Sequence, residues 1–172
     1  MTPQSDTEPV EDEHFFVIKG RRWRRTDPSI PEALRKQLVN QLMDARRAVK
    51  SAKAADDDEA MAIARARVND AKLALGERGE PWWEEASPEG LTTRARATVR
   101  TLLNGRSDGA TICPSEVART IGGEEWRNHS ARMRELAIEM ADAGEIEILQ
   151  HGKVVDPASL RGAIRLGRPS HD

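Results

Sequence analysis

The sequence is poor in cysteine, in aromatic residues and in long apolar runs. Cys113 is the only cysteine in 172 residues, which excludes an intrachain disulfide and a Cys-x-x-Cys zinc site and favours a reducing cytoplasm. There is no Tyr, and there are only two Phe and four Trp, so we expect a core of Leu, Ile, Val, Ala and Met on helices. No apolar run approaches the ~20 residues of a membrane span, and the acidic segment 1–13 does not resemble a signal peptide. We therefore predict a soluble, cytoplasmic protein that does not enter membranes.

Sequence signatures of metal binding, cofactor binding and catalysis are also missing. We find no Gly-rich phosphate loop, no paired-carboxylate motif and no nucleophile–His signature, and the Asp56–Glu59 run lacks the alternating spacing of calcium ligands. The four histidines show no pairing at three or four residues' separation, as zinc ligands on a helix would; they are His14, His129, His151 and His171. We expect no metal, no cofactor and no enzymatic activity.

Cys113 is the single candidate for a reactive thiol. It precedes Pro114 at the predicted start of a helix, where free N–H groups and the helix dipole favour a thiolate. The alternative is a small, half-buried residue that starts the helix, which is the usual role of an unpaired cysteine.

Charge is distributed unevenly along the chain, although its formal net value is only −2. Counted from the sequence, residues 1–13 carry −5, residues 14–53 carry +8, residues 54–90 carry −6 and residues 91–172 carry +1. The whole-chain charge would therefore mislead about partners.

The N-terminal half is predicted to contain a β-hairpin and a helical hairpin. We interpret residues 1–13 as a disordered acidic tail and residues 14–25 as two strands joined by a Lys19-Gly20 turn. A helix from Pro31 to about Lys53 follows, with Ser29 as its cap and Glu32 at capping-box spacing. A second helix runs from the caps Asp56–Asp58 to about Leu75. Both helices carry a narrow apolar stripe, which is typical of a coiled-coil seam, so this unit (14–79) needs a partner: its own C-terminal domain or another chain.

Residues 80–91 read as a Pro-rich linker whose adjacent Trp82 and Trp83 are expected to dock onto a neighbouring domain. Beyond it, residues 92–167 show the element order of a winged helix, and residues 168–172 form a short tail. The predicted order is a helix capped by Thr92 or Thr93 and ending near Asn104, a helix opened by Pro114, a helix over 124–143, strands at 145–150 and 153–155, and a short third strand at 164–166. The predicted fold class is therefore mainly α with a small β component.

Several motifs in this part of the chain also resemble a known family. They are Thr111–Arg119, Trp126-Arg127, Met133-Arg134, Gly144, Gln150, Gly152, Val155-Asp156-Pro157 and Gly162–Arg165. Together they resemble the bacterial domain-of-unknown-function family 3253 over roughly residues 94–166, with Ala163 as a departure in the turn before the last strand. The resemblance implies a winged-helix fold and no established activity, so it transfers no site residue.

Two groups of residues are candidates for contacting nucleic acid. In helix-turn-helix folds the third helix enters the major groove, and suitable side chains here are Arg127, Asn128 and Arg132, with Lys153 in the wing. The stronger charge signal is the cluster Arg21, Arg22, Trp23, Arg24 and Arg25, a basic run around an aromatic that suits nucleic-acid backbones. It is followed by further cations on the first helix: Arg35, Lys36, Arg46, Arg47, Lys50 and Lys53.

The sequence leaves two functions open. The first is a small accessory protein that binds nucleic acid. The alternative is a protein-interaction or scaffold module, in which the helical hairpin docks a protein partner or a second copy of the chain. A continuous basic face across both halves favours the first, and basic residues paired with the chain's own acids favour the second.

Overall fold

The structure is a computed structural model that describes residues 11–170, so most of the predicted acidic tail and the end of the C-terminal tail lie outside the described residues. It is mainly α with a small β component, which confirms the predicted fold class. The elements, in chain order, are β1 (Phe15–Ile18), β2 (Arg21–Arg24), α1 (Glu32–Ala55), α2 (Asp58–Ala74), α3 (Pro88–Asn104), α4 (Pro114–Gly122), a 3-10 segment (Gly123–His129), α5 (Ser130–Asp142), β3 (Glu147–Gln150), β4 (Lys153–Val154), a 3-10 turn (Pro157–Ser159) and β5 (Arg165–Gly167).

The N-terminal hairpin forms at the predicted turn. β1 and β2 pair antiparallel with Phe16 opposite Trp23, and Lys19 and Gly20 have φ of 50° and 74°. Positive φ at both turn residues matches the right-handed twist of the strands, which is why Gly is favoured there. The tail prediction extended to Glu13, but the Asp12 carboxylate accepts hydrogen bonds from the backbone of His14 and Phe15, so residues 11–13 already belong to the folded hairpin.

The helical hairpin is confirmed, but the predicted cap of its first helix is wrong. Pro31 occupies the N-cap position of α1 and makes no side-chain cap. Ser29 lies two residues before that N-cap, and its hydroxyl donates to the Asp27 carboxylate at 2.7 Å. At the turn between α1 and α2, the Asp57 side chain accepts from the Ala60 N–H, as the predicted acidic cap requires.

The two halves of the chain share one hydrophobic core, in which α3 is the central helix. The apolar stripe of α1 and α2 contacts α3 and belongs to the same buried cluster as the α3 side chains and those of α4, α5, β3 and β5. The stripe residues in this cluster are Leu34, Leu38, Leu42, Ala71, Ala74 and Leu75, and those of α3 are Ala95, Val99, Leu102 and Leu103. We expected the helical hairpin to pack against either its own C-terminal half or another chain. In the structure it packs against its own C-terminal half.

Helix α3 begins earlier than expected. Its cap is Ser87, whose hydroxyl accepts from the Gly90 N–H at 3.0 Å, so neither Thr92 nor Thr93 is the cap and residues 88–91 are helical rather than linker. Pro88 occupies the first helical position, where its missing N–H costs nothing.

The predicted single helix over 124–143 is divided in two. Residues Gly123–His129 form tighter 3-10 turns in which Glu125 leaves helical geometry, and α5 proper starts at Ser130. Gly123 has a φ of 53°, and an added Cβ would lie 3.0 Å from the Ser29 Cβ, so the chain reverses here in close contact with the N-terminal half. The division places Arg127 and Asn128 on the 3-10 segment and not on α5.

A three-stranded antiparallel sheet closes the fold, with the order β4-β3-β5. His151 and Gly152, at φ of 52° and 75°, form the predicted tight turn between β3 and β4, and Ile112 makes a single bridge to Leu166 of β5. Within the described range, no helix combines the length and apolarity needed to cross a bilayer.

Candidate nucleic-acid interface

Most of the arginine run in β2 is engaged within the chain. The guanidinium groups of its three arginines, and that of Arg25 directly after the strand, each lie over an aromatic ring, an arrangement that is attractive because the ring face is negative. The pairs are Arg21 over Trp23 (4.5 Å), Arg22 over Phe15 (3.7 Å), Arg24 over Trp83 (5.5 Å) and Arg25 over Phe16 (5.6 Å).

Hydrogen bonds engage three of these arginines further. Arg22 pairs with the Asp12 carboxylate at 3.1 Å, Arg24 donates to the Gly79 carbonyl at 2.8 Å, and Arg25 donates to the Asp12 carbonyl at 2.9 Å. The Trp82 indole donates in return to the Arg25 carbonyl at 3.0 Å, so the adjacent tryptophans dock onto the hairpin as expected. Arg21 alone in the run has no hydrogen bond or ion pair within residues 11–170.

A second cation lies over the Trp23 ring. The Lys72 ammonium of α2 is 5.1 Å from the ring centroid, so the indole already holds two cations of its own chain. Partial burial lowers the pKa of Lys72, and the guanidinium groups of Arg78, Arg46 and Arg21 lower that pKa further, whereas Glu77 raises it. Four like charges are thus held together with one opposing carboxylate nearby.

Helix α1 extends this positive charge along its solvent side. Five of its cations are exposed and form no ion pair in the part of the chain that the structure describes: Arg35, Lys36, Arg46, Lys50 and Lys53. At 3.6 residues per turn they fall within about 120° of the helix circumference, and they span about 27 Å of its length. We call these five residues, together with Arg21, Lys72 and Arg78, the basic face.

The C-terminal residues predicted to contact nucleic acid do not form one group in the structure. Arg127 is exposed and lies 4.6 Å from the Trp126 ring, with Arg119 at 4.8 Å from the same ring. Asn128 lines a cleft that Arg127 does not line, and Lys153 is exposed on β4.

Arg132 is committed to contacts within the chain. It donates to Glu139 at 2.7 Å and to the Thr92 hydroxyl at 3.0 Å, and its hydrogen bond to the Glu139 carboxylate raises the pKa of Arg132.

Charge pairing separates the two halves. Arginines of the C-terminal half mostly pair with acids of the chain, as in Arg94–Asp27, Arg96–Glu145, Arg100–Glu145, Arg106–Glu116, Arg132–Glu139 and Arg168–Asp108. The basic face, by contrast, consists entirely of side chains from β2, α1, α2 and the residues that follow α2. Unpaired cations are not confined to the N-terminal half, since Arg119, Arg127 and Arg161 are exposed and form no ion pair within residues 11–170.

Cys113 starts α4, as predicted. Its N–H donates to the Glu116 carboxylate at 2.7 Å, and its half-buried sulfur accepts from the Ser115 hydroxyl at 3.0 Å. Over residues 11–170, no three His, Cys, Asp or Glu side chains are grouped as metal ligands would be.

Two members of the basic face could not be identified from the linear charge pattern. Lys72 and Arg78 lie in the segment 54–90, whose net charge of −6 conceals them. Their proximity to Arg21 and Arg46 depends on the return of α2 along α1, which linear charge counting does not register.

Comparison with known proteins agrees with the resemblance found in the sequence. Residues 92–169, in the C-terminal half of the chain, match the family described as "Protein of unknown function (DUF3253)". That description names no activity and no fold. No curated protein matches the chain.

Proposed function

We propose that this protein binds nucleic acid through the basic face and contacts phosphates rather than base edges. The observation that carries the proposal is the group of four cations formed by Lys72, Arg21, Arg46 and Arg78. Arg21 and Lys72 lie over the same Trp23 ring, and the pKa of Lys72 is lowered first by burial and then by the charges of the neighbouring arginines. Such a group is stabilised when an anion enters it. A nucleic-acid backbone supplies regularly spaced negative charge, and its neutralisation provides most of the affinity of non-specific binding.

The dimensions of α1 suit this ligand. Its exposed cations cover about 27 Å, which corresponds to about eight base pairs of duplex at 3.4 Å each. Because Arg21 and Lys72 occupy the Trp23 ring, Trp23 acts as an anchor for cations and not as a platform for an unpaired base. We therefore expect single-stranded DNA to gain no affinity from stacking, and duplex DNA, which has the higher charge density, to bind at least as tightly.

The C-terminal half has a supporting role in this proposal. We interpret residues 92–167 as a winged helix, since three helices precede a small antiparallel sheet in the order that predicted this fold. Arg127, Asn128 and Lys153 are exposed and would add contacts only if the ligand extends beyond the basic face. Arg132 would not contribute while it is bound to Glu139.

The alternative function, docking of a protein or a second copy through the helical hairpin, has one supporting observation. Ile63 of α2 is 57% exposed and Met43 of α1 is 36% exposed. The Leu34–Leu42 stripe that suggested this function is buried against α3, so a partner would have to use the outer side of the hairpin.

Fluorescence anisotropy tests the proposal. The full chain is titrated into a labelled 20-base-pair duplex, one of its strands alone and an RNA of the same sequence, each over a salt series. Replacing Arg46, Lys50 and Lys53 by Gln is expected to weaken binding to all three ligands and to reduce the slope of log affinity against log salt by about 2.7 on duplex, since each lost phosphate contact contributes about 0.9.

A matched control removes the same charge from the other half of the chain. Replacing Arg127, Lys153 and Arg161 by Gln changes the net charge equally, and these side chains are exposed. This control should bind nearly as well as the original chain. Absence of binding at low salt, or a larger loss in the control than in the α1 variant, would contradict the proposed interface.

A further inference from the structure

A cleft of about 620 Å³ lies beside the loop that follows α2. Its walls come from that loop, the first turns of α3 and the 3-10 segment. The lining includes half-buried apolar side chains: Leu73, Trp82, Leu91 and Ile121. This volume falls in the range of about 300–1,000 Å³ that is usual for ligand sites.

The charged side chains around the cleft are mainly acidic and without partners. Glu84, Glu85, Glu89 and Glu125 are exposed, and none takes part in an ion pair or side-chain hydrogen bond within residues 11–170. The two arginines in the lining are engaged elsewhere: Arg94 with the Asp27 carboxylate at 2.8 Å and Arg78 with the Asn69 side chain at 2.9 Å. The cleft therefore combines an apolar lining with free negative charge.

Local contacts hold the cleft in shape without a ligand. The Glu80 carboxylate accepts from the Ser87 N–H at 2.8 Å and closes the loop between them, and the Trp82 indole is fixed to the Arg25 carbonyl. A pre-formed site avoids the entropy cost of ordering a loop on binding.

We propose that this cleft docks a basic segment of a partner protein, with apolar side chains of the segment against Leu73, Trp82 and Leu91 and its Arg or Lys side chains against the carboxylates. The carboxylates stand on different walls, Glu84 and Glu85 on the loop and Glu125 on the 3-10 segment, so they fit a segment with several cations better than a single cation. The same charge repels nucleic acid. Arg78 is the one residue that the cleft lining shares with the basic face, and the acidic residues that carry this inference lie outside the basic face, so the inference does not depend on the proposed function.

The test uses the full chain and a labelled hexapeptide, Leu-Arg-Leu-Lys-Leu-Arg, at low salt. A second peptide with Gly in place of each Leu keeps the charge and removes the apolar side chains. The Leu peptide is expected to bind more tightly than the Gly peptide. The double variant Glu85→Gln/Glu125→Gln should lose about fivefold in affinity, as expected for two exposed charge pairs.

The matched control is Glu124→Gln/Asp142→Asn, which removes two exposed acids outside the cleft lining and should change the affinity less than twofold. Equal binding of the two peptides, equal effects of the two double variants, or full competition by spermine would each overturn the proposal, because each indicates charge attraction without docking. Nucleic-acid binding of Glu85→Gln/Glu125→Gln should not fall, so failure of this inference is distinguishable from failure of the proposed function.

Discussion

The ion pair between Asp27 and Arg94 joins the two halves of the chain, and its removal should be strongly destabilising. The side chains are 5% and 17% exposed, and the nitrogen–oxygen distance is 2.8 Å. Arg94 also donates to the carbonyls of Ala74 and Thr120, both at 3.3 Å. Asp27 thus supplies the only carboxylate that this guanidinium pairs with among the described residues.

Asp27→Ala would leave the Arg94 charge buried with two long bonds to carbonyls. Breaking a buried pair in this way costs about 3–5 kcal/mol, a large fraction of the ~5–15 kcal/mol that stabilises a typical domain. For a chain of this size, the corresponding fall in Tm is roughly 6–20 °C. Urea denaturation followed by circular dichroism measures the change in the free energy of unfolding, and a thermal scan measures the change in Tm.

Asp108→Ala is the matched control, because it removes the partner of Arg168 from a carboxylate that is fully exposed. Exposed pairs of this kind contribute about 0–1 kcal/mol. A double-mutant cycle with Arg94→Met then isolates the coupling between Asp27 and Arg94. The reasoning is refuted if Asp27→Ala costs no more than Asp108→Ala, since water would then replace the carboxylate without penalty.

Three further predictions concern single residues. Gly76→Ala should lower the free energy of unfolding in urea by more than Gly144→Ala. Both glycines have positive φ, 75° and 73°, but only at Gly76 would the new methyl lie 3.0 Å from the Asp27 Cβ. Equal losses in the two variants would contradict that contact. Burial raises the pKa of Asp70, so its ionised form is disfavoured in the fold. Asp70→Asn should therefore raise the midpoint of urea denaturation at pH 7. The variant should leave the midpoint unchanged at a pH low enough to protonate Asp70 in both the folded and the unfolded chain. The pKa of Lys72 is lowered, so Lys72 loses its charge at a lower pH than an ordinary lysine. Nucleic-acid affinity should therefore fall as the pH rises towards the usual lysine range, and Lys72→Arg should retain more of it. Identical pH profiles would remove Lys72 from the interface.

Local features of the fold could be predicted from the sequence because short-range physics decides them. The Lys19-Gly20 and His151-Gly152 turns follow from residues that tolerate positive φ, and the cap at Asp57 follows from its side-chain acceptor. The apolar stripes of α1 and α2 follow from helical periodicity. The errors at Ser29 and at the start of α3 have a local origin too: each helix start is preceded or followed by several residues of capping type, and spacing alone does not select among them.

The tertiary structure decided which charges are free. The sequence alone determined that residues 14–53 carry a large positive excess, but not that Arg22 and Arg25 would be bound near Asp12 while Lys72 joined Arg21 and Arg46. It determined that the helical hairpin needs a partner, but not that α3 would be that partner. The physical reason is the same in both cases: helix and turn formation depend on residues within a few positions of each other, whereas charge compensation and core packing depend on neighbours as distant in sequence as Asp27 and Arg94, 67 residues apart.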